Sequence, residues 1–452
     1  MKKRFLIVTL IIVAIAAIMI AINSKRNEPQ TALKDKVVVV INDGPKETDK
    51  DGIKRFKEEI AEFNLLYPNI EIKWTARPYS PDSFSTSMAG GTAEDVILVW
   101  ATEGYIADRG YALDLTEMIN QWEDKDKLNL DILKPFVRNG RYYAFPCNGY
   151  IMGMCYNKKL FRQAGLDDNA PADWGSFVEY AKKLTDREKG IAGFGIMGKD
   201  AQAGWGLLNW IWQAGGDFEK EENGKWKAAF DEPEAIEAMQ FLKDLRWKHD
   251  VLQTNLLALM DDLRKSFSAG QLGMFFGTND TVPGLVQYGM KLSDIGMGLL
   301  PEGPGGRANQ MGGSYFIINP KSTKKVQEAA FKWLTWYSLK MQDPERLGEY
   351  GESYRKLNKV WYISALPIFN TSNKELDAVK EEYKDVLVDY PEVWQEAAKY
   401  IKPEPPYFCQ QLYSEYLSPA LQAVLTNKNA NPADLMTKAA RGFEDRFLKR
   451  VK

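Results

Sequence analysis

At 452 residues the chain exceeds one ordinary hydrophobic core, and its 45% hydrophobic and 27% charged content is that of a folded globular protein, so two compact lobes are expected. The formal net charge of −2, with no long basic run, argues against nucleic acid as the main partner. One His (His249) and three Cys (Cys147, Cys155, Cys409) leave zinc sites and Ser-His-Asp or Cys-His catalysis little to work with, so no catalytic residue, metal or cofactor is expected.

In chain order, Lys2, Lys3 and Arg4 precede eighteen apolar or near-apolar residues, Phe5–Ile22, and Lys25 and Arg26 follow. A basic start and an apolar run make an export signal, here nearly long enough to span a bilayer. Ala14-Ile15-Ala16 resembles a cleavage site, but cutting there leaves an apolar stub. An uncleaved anchor over residues 1–24 is therefore favoured over a removed signal, with a polar linker over 25–36. Either way the body is expected outside the cytoplasm, at the cell surface or secreted.

Val37–Asn42 reads as a buried strand, and Gly52–Tyr67 as a helix with Ile53, Phe56, Ile60 and Phe63 on one face. Ile70–Trp74 alternates as a second strand, Ser83–Gly91 is a short helix and Asp95–Trp100 a third strand. Strand alternating with helix predicts a doubly wound α/β lobe. Ligands of such sheets lie beyond the strands' carboxyl ends, where Trp100 to Glu103 fall.

From Gly140 to Lys158 two extended runs, Arg141–Phe145 and Tyr150–Tyr156, are interrupted by Pro146, Asn148 and Gly149. That pattern suits a chain leaving one sheet for another, a ligand lying on exposed backbone, or a buried hairpin. A capped helix over Asp173–Thr185, a strand over Gly190–Met197 and a helical stretch with three indoles (Trp205, Trp210, Trp212) come next. Helices Pro233–Lys248 and Met260–Ala269 lead to a strand, Gly270–Phe276, that ends at Gly277-Thr-Asn279-Asp280. Leu292–Leu300, a Gly/Pro loop and a strand over Met311–Asn319 precede an almost wholly helical remainder.

Three stretches carry a resemblance. Asp95-Val-Ile-Leu-Val-Trp100-Ala-Thr-Glu103 resembles a buried strand followed by Trp-Ala-x-acid. Gly140-Arg-Tyr-Tyr-Ala-Phe-Pro146 with Tyr156-Asn157-Lys158 and Phe161 resembles Gly-x-x-Tyr-Ala-x-Pro…Tyr-Asn-Lys…Phe, and Phe267-Ser-Ala-Gly270-Gln-Leu-Gly-Met274 resembles Phe-x-x-Gly-x-x-Ala-Met. In this order, and with Leu300-Pro301 followed by Gly312-Gly313, the chain from Lys36 onward resembles the extracellular solute-binding proteins of ABC importers, in the carbohydrate-binding branch that includes maltose-binding protein. The resemblance implies two α/β lobes joined by chain crossings and closing on ligand by hinge motion. Crossings are expected near Cys147–Tyr150, Leu299–Pro304 and Tyr350–Arg355, dividing the chain into lobe 1 (37–147 plus 303–352) and lobe 2 (148–302 plus 353–452). At the third crossing the family's Gly-x-Pro reads Glu352-Ser353-Tyr354.

A sugar offers an apolar face to flat rings and a fringe of hydroxyls to acids and amides. The 12% aromatic content, with 13 Trp and 21 Tyr, suits a groove of rings. Candidate platforms are Trp100, Tyr150, one or more of Trp205, Trp210 and Trp212, and Tyr315. Candidate polar contacts are Glu103, Asn148, Asn209, Asn279 and Asp280, with Gly277, Gly313 and Ser314 admitting close backbone approach. By resemblance Trp100 and Glu103 match first-lobe contacts, whereas Tyr150 and Asp280 stand where maltose-binding protein has a Glu and a Trp, so the ligand need not be maltose. Each has a structural alternative: a Trp is readily core, and Glu103 and Asp280 also suit helix starts. The expected protein is a monomeric receptor delivering a carbohydrate to ABC permease subunits. The competing classes are a secreted carbohydrate-active enzyme working with two carboxylates, and a binding protein for peptides or polyamines.

Overall fold

The computed structural model describes residues 36–451 apart from 43 and 371–373. The expected signal or anchor, and the linker up to residue 35, lie outside the described residues. No helix among the described residues is long and apolar enough to cross a membrane.

The first lobe is built on the strand Val37–Ile41, whose β-branched residues suit burial on both faces. Ile70–Trp74 and Val96–Trp100 flank it in parallel, with Val37 opposite Ile70 and Ile41 opposite Val96. The helix Lys50–Leu66 connects the first pair, its open N-terminus capped by Asp49 accepting from the Gly52 amide. Asn309–Ile318 then runs antiparallel to both Val96–Trp100 and Phe145–Ile151. The strands and helices expected up to Trp100 are all present, within a few residues at their ends.

The second lobe holds a four-stranded sheet in the order Ile295–Gly298, Gly153–Asn157, Leu272–Gly277, Ala192–Gly195. The helix Asp200–Ala214 is buried from Gly206 to Ala214 and packs on Pro233–Trp247 and on the C-terminal helical run. A helix apolar all round belongs in a core, and here two helical neighbours and the sheet cover it.

The chain does leave one sheet for the other within the central stretch. Phe145–Ile151 belongs to the first sheet and Gly153–Asn157 to the second, with only Met152 between. Ser314 pairs with Asn148 but Tyr315 with Pro146, so Cys147 is the extra residue of a β-bulge that twists the strand just before it crosses. The second crossing, residues 299–308, links Ile295–Gly298 to Asn309–Ile318.

The third crossing differs from the expectation. Tyr350–Arg355 lies inside a helix, Pro344–Lys356, and Ile401–Lys402 still pairs with Asn309 and Gln310 of the first sheet. Only beyond Lys402 does the chain pass over, and from Cys409 to Leu448 its apolar side chains enter the second core. Glu352-Ser353-Tyr354 has nothing to break a helix, and Arg355 ties the helix end to Asp385 at 3.0 Å. Between Trp361 and Ala397 an excursion lies across both lobes. Ile368 accepts from the Asn129 amide at 2.8 Å on the first, and Trp394 covers Gly153 on the second.

Candidate functional site

Trp100 ends its strand with its side chain 41% exposed, set edge-on to Tyr79 with centroids 5.2 Å apart. Ser314 is hydrogen-bonded into the sheet between Trp100 and Asn148, so three expected contacts stand side by side on one face. Asn148 Oδ1 accepts from the Ser314 amide at 3.2 Å. At Gly313 a Cβ would fall 2.1 Å from the Asn148 carbonyl oxygen, so only glycine permits this close strand approach.

Glu103 follows in the short helical turn Ala101–Ile106, where its own φ and ψ of −105° and 19° kink the turn. The carboxyl is 1% exposed. Its Oε1 accepts from Thr102 Oγ1 at 3.4 Å, while Oε2 has no partner among the described residues. Burial pushes its pKa up, against the pull of the Tyr79, Tyr105 and Thr102 hydroxyls around it. The Tyr79 and Tyr105 hydroxyls stand beside the carboxyl, and the turn carries no side-chain cap bond.

Tyr150 and Trp205 meet edge to face, centroids 6.2 Å apart, bringing a first-lobe strand against the second-lobe helix. Both donate to one carboxylate that sequence reasoning missed. Glu404 Oε1 accepts from Tyr150 Oη at 3.3 Å, Trp205 Nε1 at 3.1 Å and Gln310 Nε2 at 2.8 Å, and Oε2 accepts from Tyr413 Oη. Asn209 is fully buried, and it exchanges two bonds with Gln310: Nδ2 to Oε1 at 3.1 Å, and Oδ1 from the amide at 2.8 Å. The signal available for Glu404 was its setting in Lys402-Pro-Glu404-Pro-Pro406, an acid bracketed by prolines that hold the chain extended.

Other expected contacts stand elsewhere. Trp212 belongs to the second core, its indole N–H given to Asp217 at 3.2 Å and its ring edge-on to Phe218. Trp210 stacks on Phe276, so of the three indoles only Trp205 faces the other lobe. Tyr315 is buried in the first core, its hydroxyl donating to the Ile132 carbonyl at 2.7 Å. Strand alternation puts it on the face opposite Ser314. Asn279 is buried and donates to the Ile363 carbonyl, while Asp280 is exposed and accepts from Thr278 without capping the helix after it. Both thus border the 361–397 excursion, where Tyr362 is pushed up to about 12, first by burial and then by the charge of Asp280.

Of the expected contacts, Trp100, Asn148 and Ser314 share one face of the first sheet, and Tyr150 and Trp205 meet across the lobes. Further contacts join the lobes. Gln410 Nε2 reaches Thr102 Oγ1 at 3.5 Å, Tyr105 stacks on Phe408 at 5.8 Å, and Arg109 lies over both rings.

Two α/β lobes joined by three crossings, with rings and acids on the facing surfaces, define a hinged ligand-capturing protein. The chain belongs to the bacterial extracellular solute-binding proteins, whose family signature matches residues 49–343. That family consists of binding proteins, and its extracellular character places the folded body outside the cytoplasm. Among relatives, a binding protein of Brucella abortus is 24% identical over 280 residues, covering 61% of this chain and 66% of its own length, just short of two thirds. An arabinooligosaccharide-binding protein of Halalkalibacterium halodurans is 25% identical over 208 residues, 44% of each chain. The maltose-bound MalE3 protein of T. maritima shares the fold with a TM-score of 0.67 at 23% identity, over 90% of this chain and 99% of that one.

Proposed function

We propose that this protein is the extracytoplasmic receptor of an ABC importer, capturing an oligosaccharide between its lobes and handing it to permease subunits. It would work as a monomer, tethered or exported through its N-terminal apolar segment. In this reading the first lobe takes in residues 37–151 and 309–402, and the second the remainder of the described chain. The observation that carries the reading is Trp100, a flat ring left 41% exposed at its strand's end, three residues before a buried acid. A pyranose lays its C–H face on such a ring and gives a hydroxyl to such an acceptor. Tyr150 and Trp205 supply further rings, and Asn148 and Ser314 further polar groups. The arabinooligosaccharide-binding relative supports the substrate class, and the absent Glu and Trp at positions 150 and 280 point away from maltose itself.

A thermal-shift screen of the full chain against oligosaccharide series, peptides and polyamines tests this. A ligand present at about 100 times its dissociation constant adds about 2.7 kcal/mol to the folded state. Stabilisation by one sugar series, with the sugar recovered chemically unchanged, is the expected result. Consumption of the sugar would make the protein an enzyme, and a response confined to peptides or amines would reassign the ligand class.

A further inference from the structure

Three stretches of chain pass between the lobes, and a side chain from each meets at one point. Tyr150 stands two residues before Met152, where the first crossing occurs. Gln310 is the second residue of the strand that follows the second crossing. Glu404 itself lies in the third, between Lys402 and Cys409. All of them are held directly: Tyr150 and Gln310 donate to Glu404 Oε1 at 3.3 and 2.8 Å, and Tyr413, just past the crossing, donates to Oε2. The first two crossings are also tied to each other, by the Met152 amide to the Gln310 carbonyl at 2.8 Å and by Asn309 Nδ2 to the Met152 carbonyl at 2.9 Å.

We propose that Glu404 is the keystone of the hinge, a positioning residue that ties the three crossings together and thereby sets where Tyr150 and Trp205 stand in the cleft. The carboxyl is 5% exposed, and every partner it has here is a neutral donor. Three donors share Oε1, which suits a group that can accept at every lone pair and give no proton back. An amide at this position turns one acceptor into a donor and sets it against N–H or O–H groups that already point inward. Burial raises the carboxyl's pKa while the four hydrogen bonds oppose that rise. No apolar residue could hold these donors, because each would then be buried without an acceptor.

The placement of the rings as sugar platforms rests on the carbohydrate reading, whereas the tie between the crossings does not. The test is therefore amide hydrogen exchange of the full chain without any sugar. Glu404→Gln is expected to speed exchange about tenfold, together, in residues 148–152, 308–312 and 403–413, and to leave Val37–Ile41 unchanged. Tyr413→Phe, which removes only the Oε2 donor, is expected to loosen 409–417 alone. Phe443→Leu in the second core serves as a control with comparable loss of melting temperature, and it should not loosen 148–152. A rise confined to 403–413 in Glu404→Gln, or the same three-segment pattern in Phe443→Leu, overturns the keystone role. If Glu404→Gln does not fold, Tyr150→Phe carries the test: about threefold faster exchange at both 308–312 and 407–413 supports it, and none at either overturns it. A sugar screen that fails leaves these exchange results standing, so the two readings fail separately.

Discussion

Glu103 and Trp100 are three residues apart, yet the first is 1% and the second 41% exposed, and each carries a different liability. For Trp100 the liability is solvent, which a bound sugar would displace. Trp100→Ala is expected to weaken sugar binding by about 10- to 100-fold, the equivalent of about 1.5–3 kcal/mol of lost ring burial, with little change in melting temperature; calorimetric titration checks this. For Glu103 the liability is charge. Because burial raises its pKa in the folded state, the folded protein holds that proton more tightly than the unfolded chain does. Its contribution to stability is complete below the unfolded pKa and is lost as pH rises through the folded one. Glu103→Gln is thus expected to raise ligand-free stability by more at alkaline than at acid pH, in parallel denaturant titrations. It should weaken sugar binding at the same time, the usual exchange of stability for function at a binding site. The placing of Trp100 and Glu103 at and just past a strand's carboxyl end was legible because the apolar run Val96–Val99 shows where the strand stops. Trp212 and Tyr315 were not, since which face a side chain takes depends on helical phase and strand alternation, and those are fixed by neighbours distant in sequence. Glu404 was missed for the converse reason, as its partners come from positions 150, 205, 310 and 413.

At the scale of elements, the helix Asp200–Ala214 is the piece that brings Trp205 and Asn209 to the other lobe. It is seated by contact with the C-terminal helical run, and at Gly204 the two backbones approach closely. A Cβ there would lie 2.6 Å from the Tyr413 backbone, and the Gly204 amide donates to Ser418 at 2.9 Å. Gly204→Ala is expected to cost about 1–3 kcal/mol in denaturant unfolding, through overpacking of a site with no room to relax. The helix itself could be read from its sequence, as could the first three strands, because each announces its own period. That the chain changes sheets in the central stretch was one of three readings its sequence offered, but the break falls at Met152, because Pro146, Asn148 and Gly149 all fit inside the bulged strand Phe145–Ile151. The third crossing was not legible. It is defined by which sheet Ile401–Lys402 joins, and a two-residue strand carries no periodic signal of its own.

For the molecule as a whole, closure must balance contacts made only when the lobes approach. Tyr105 from the first lobe stacks on Phe408 at an interplanar angle of 22°, while its hydroxyl stands beside Glu103. Such a ring pair is worth about 0.5–1.5 kcal/mol. Phe408→Ala, which leaves the Tyr105 hydroxyl beside Glu103, is expected to shift the population toward the open form and lower sugar affinity about 2- to 10-fold without removing a ligand contact. Small-angle scattering should show a larger radius of gyration in the sugar-free variant than in the parent. Phe408 holds φ at +50°, a left-handed conformation unfavourable for a bulky residue, so its stack is maintained against local backbone preference.

The threefold passage between lobes has a consequence for how the chain is made. The first sheet takes strands from residue 37 to residue 402, and the second core takes side chains as late as Leu448. Neither lobe is a continuous length of polypeptide, so the first cannot finish folding before Lys402 has been made, nor the second before Leu448. Contacts of such long sequence separation form slowly. A nascent chain emerging at about 5–20 residues per second therefore stays incomplete until Leu448 has emerged. For a protein that must cross a membrane before it works, late folding keeps the chain threadable until it has crossed.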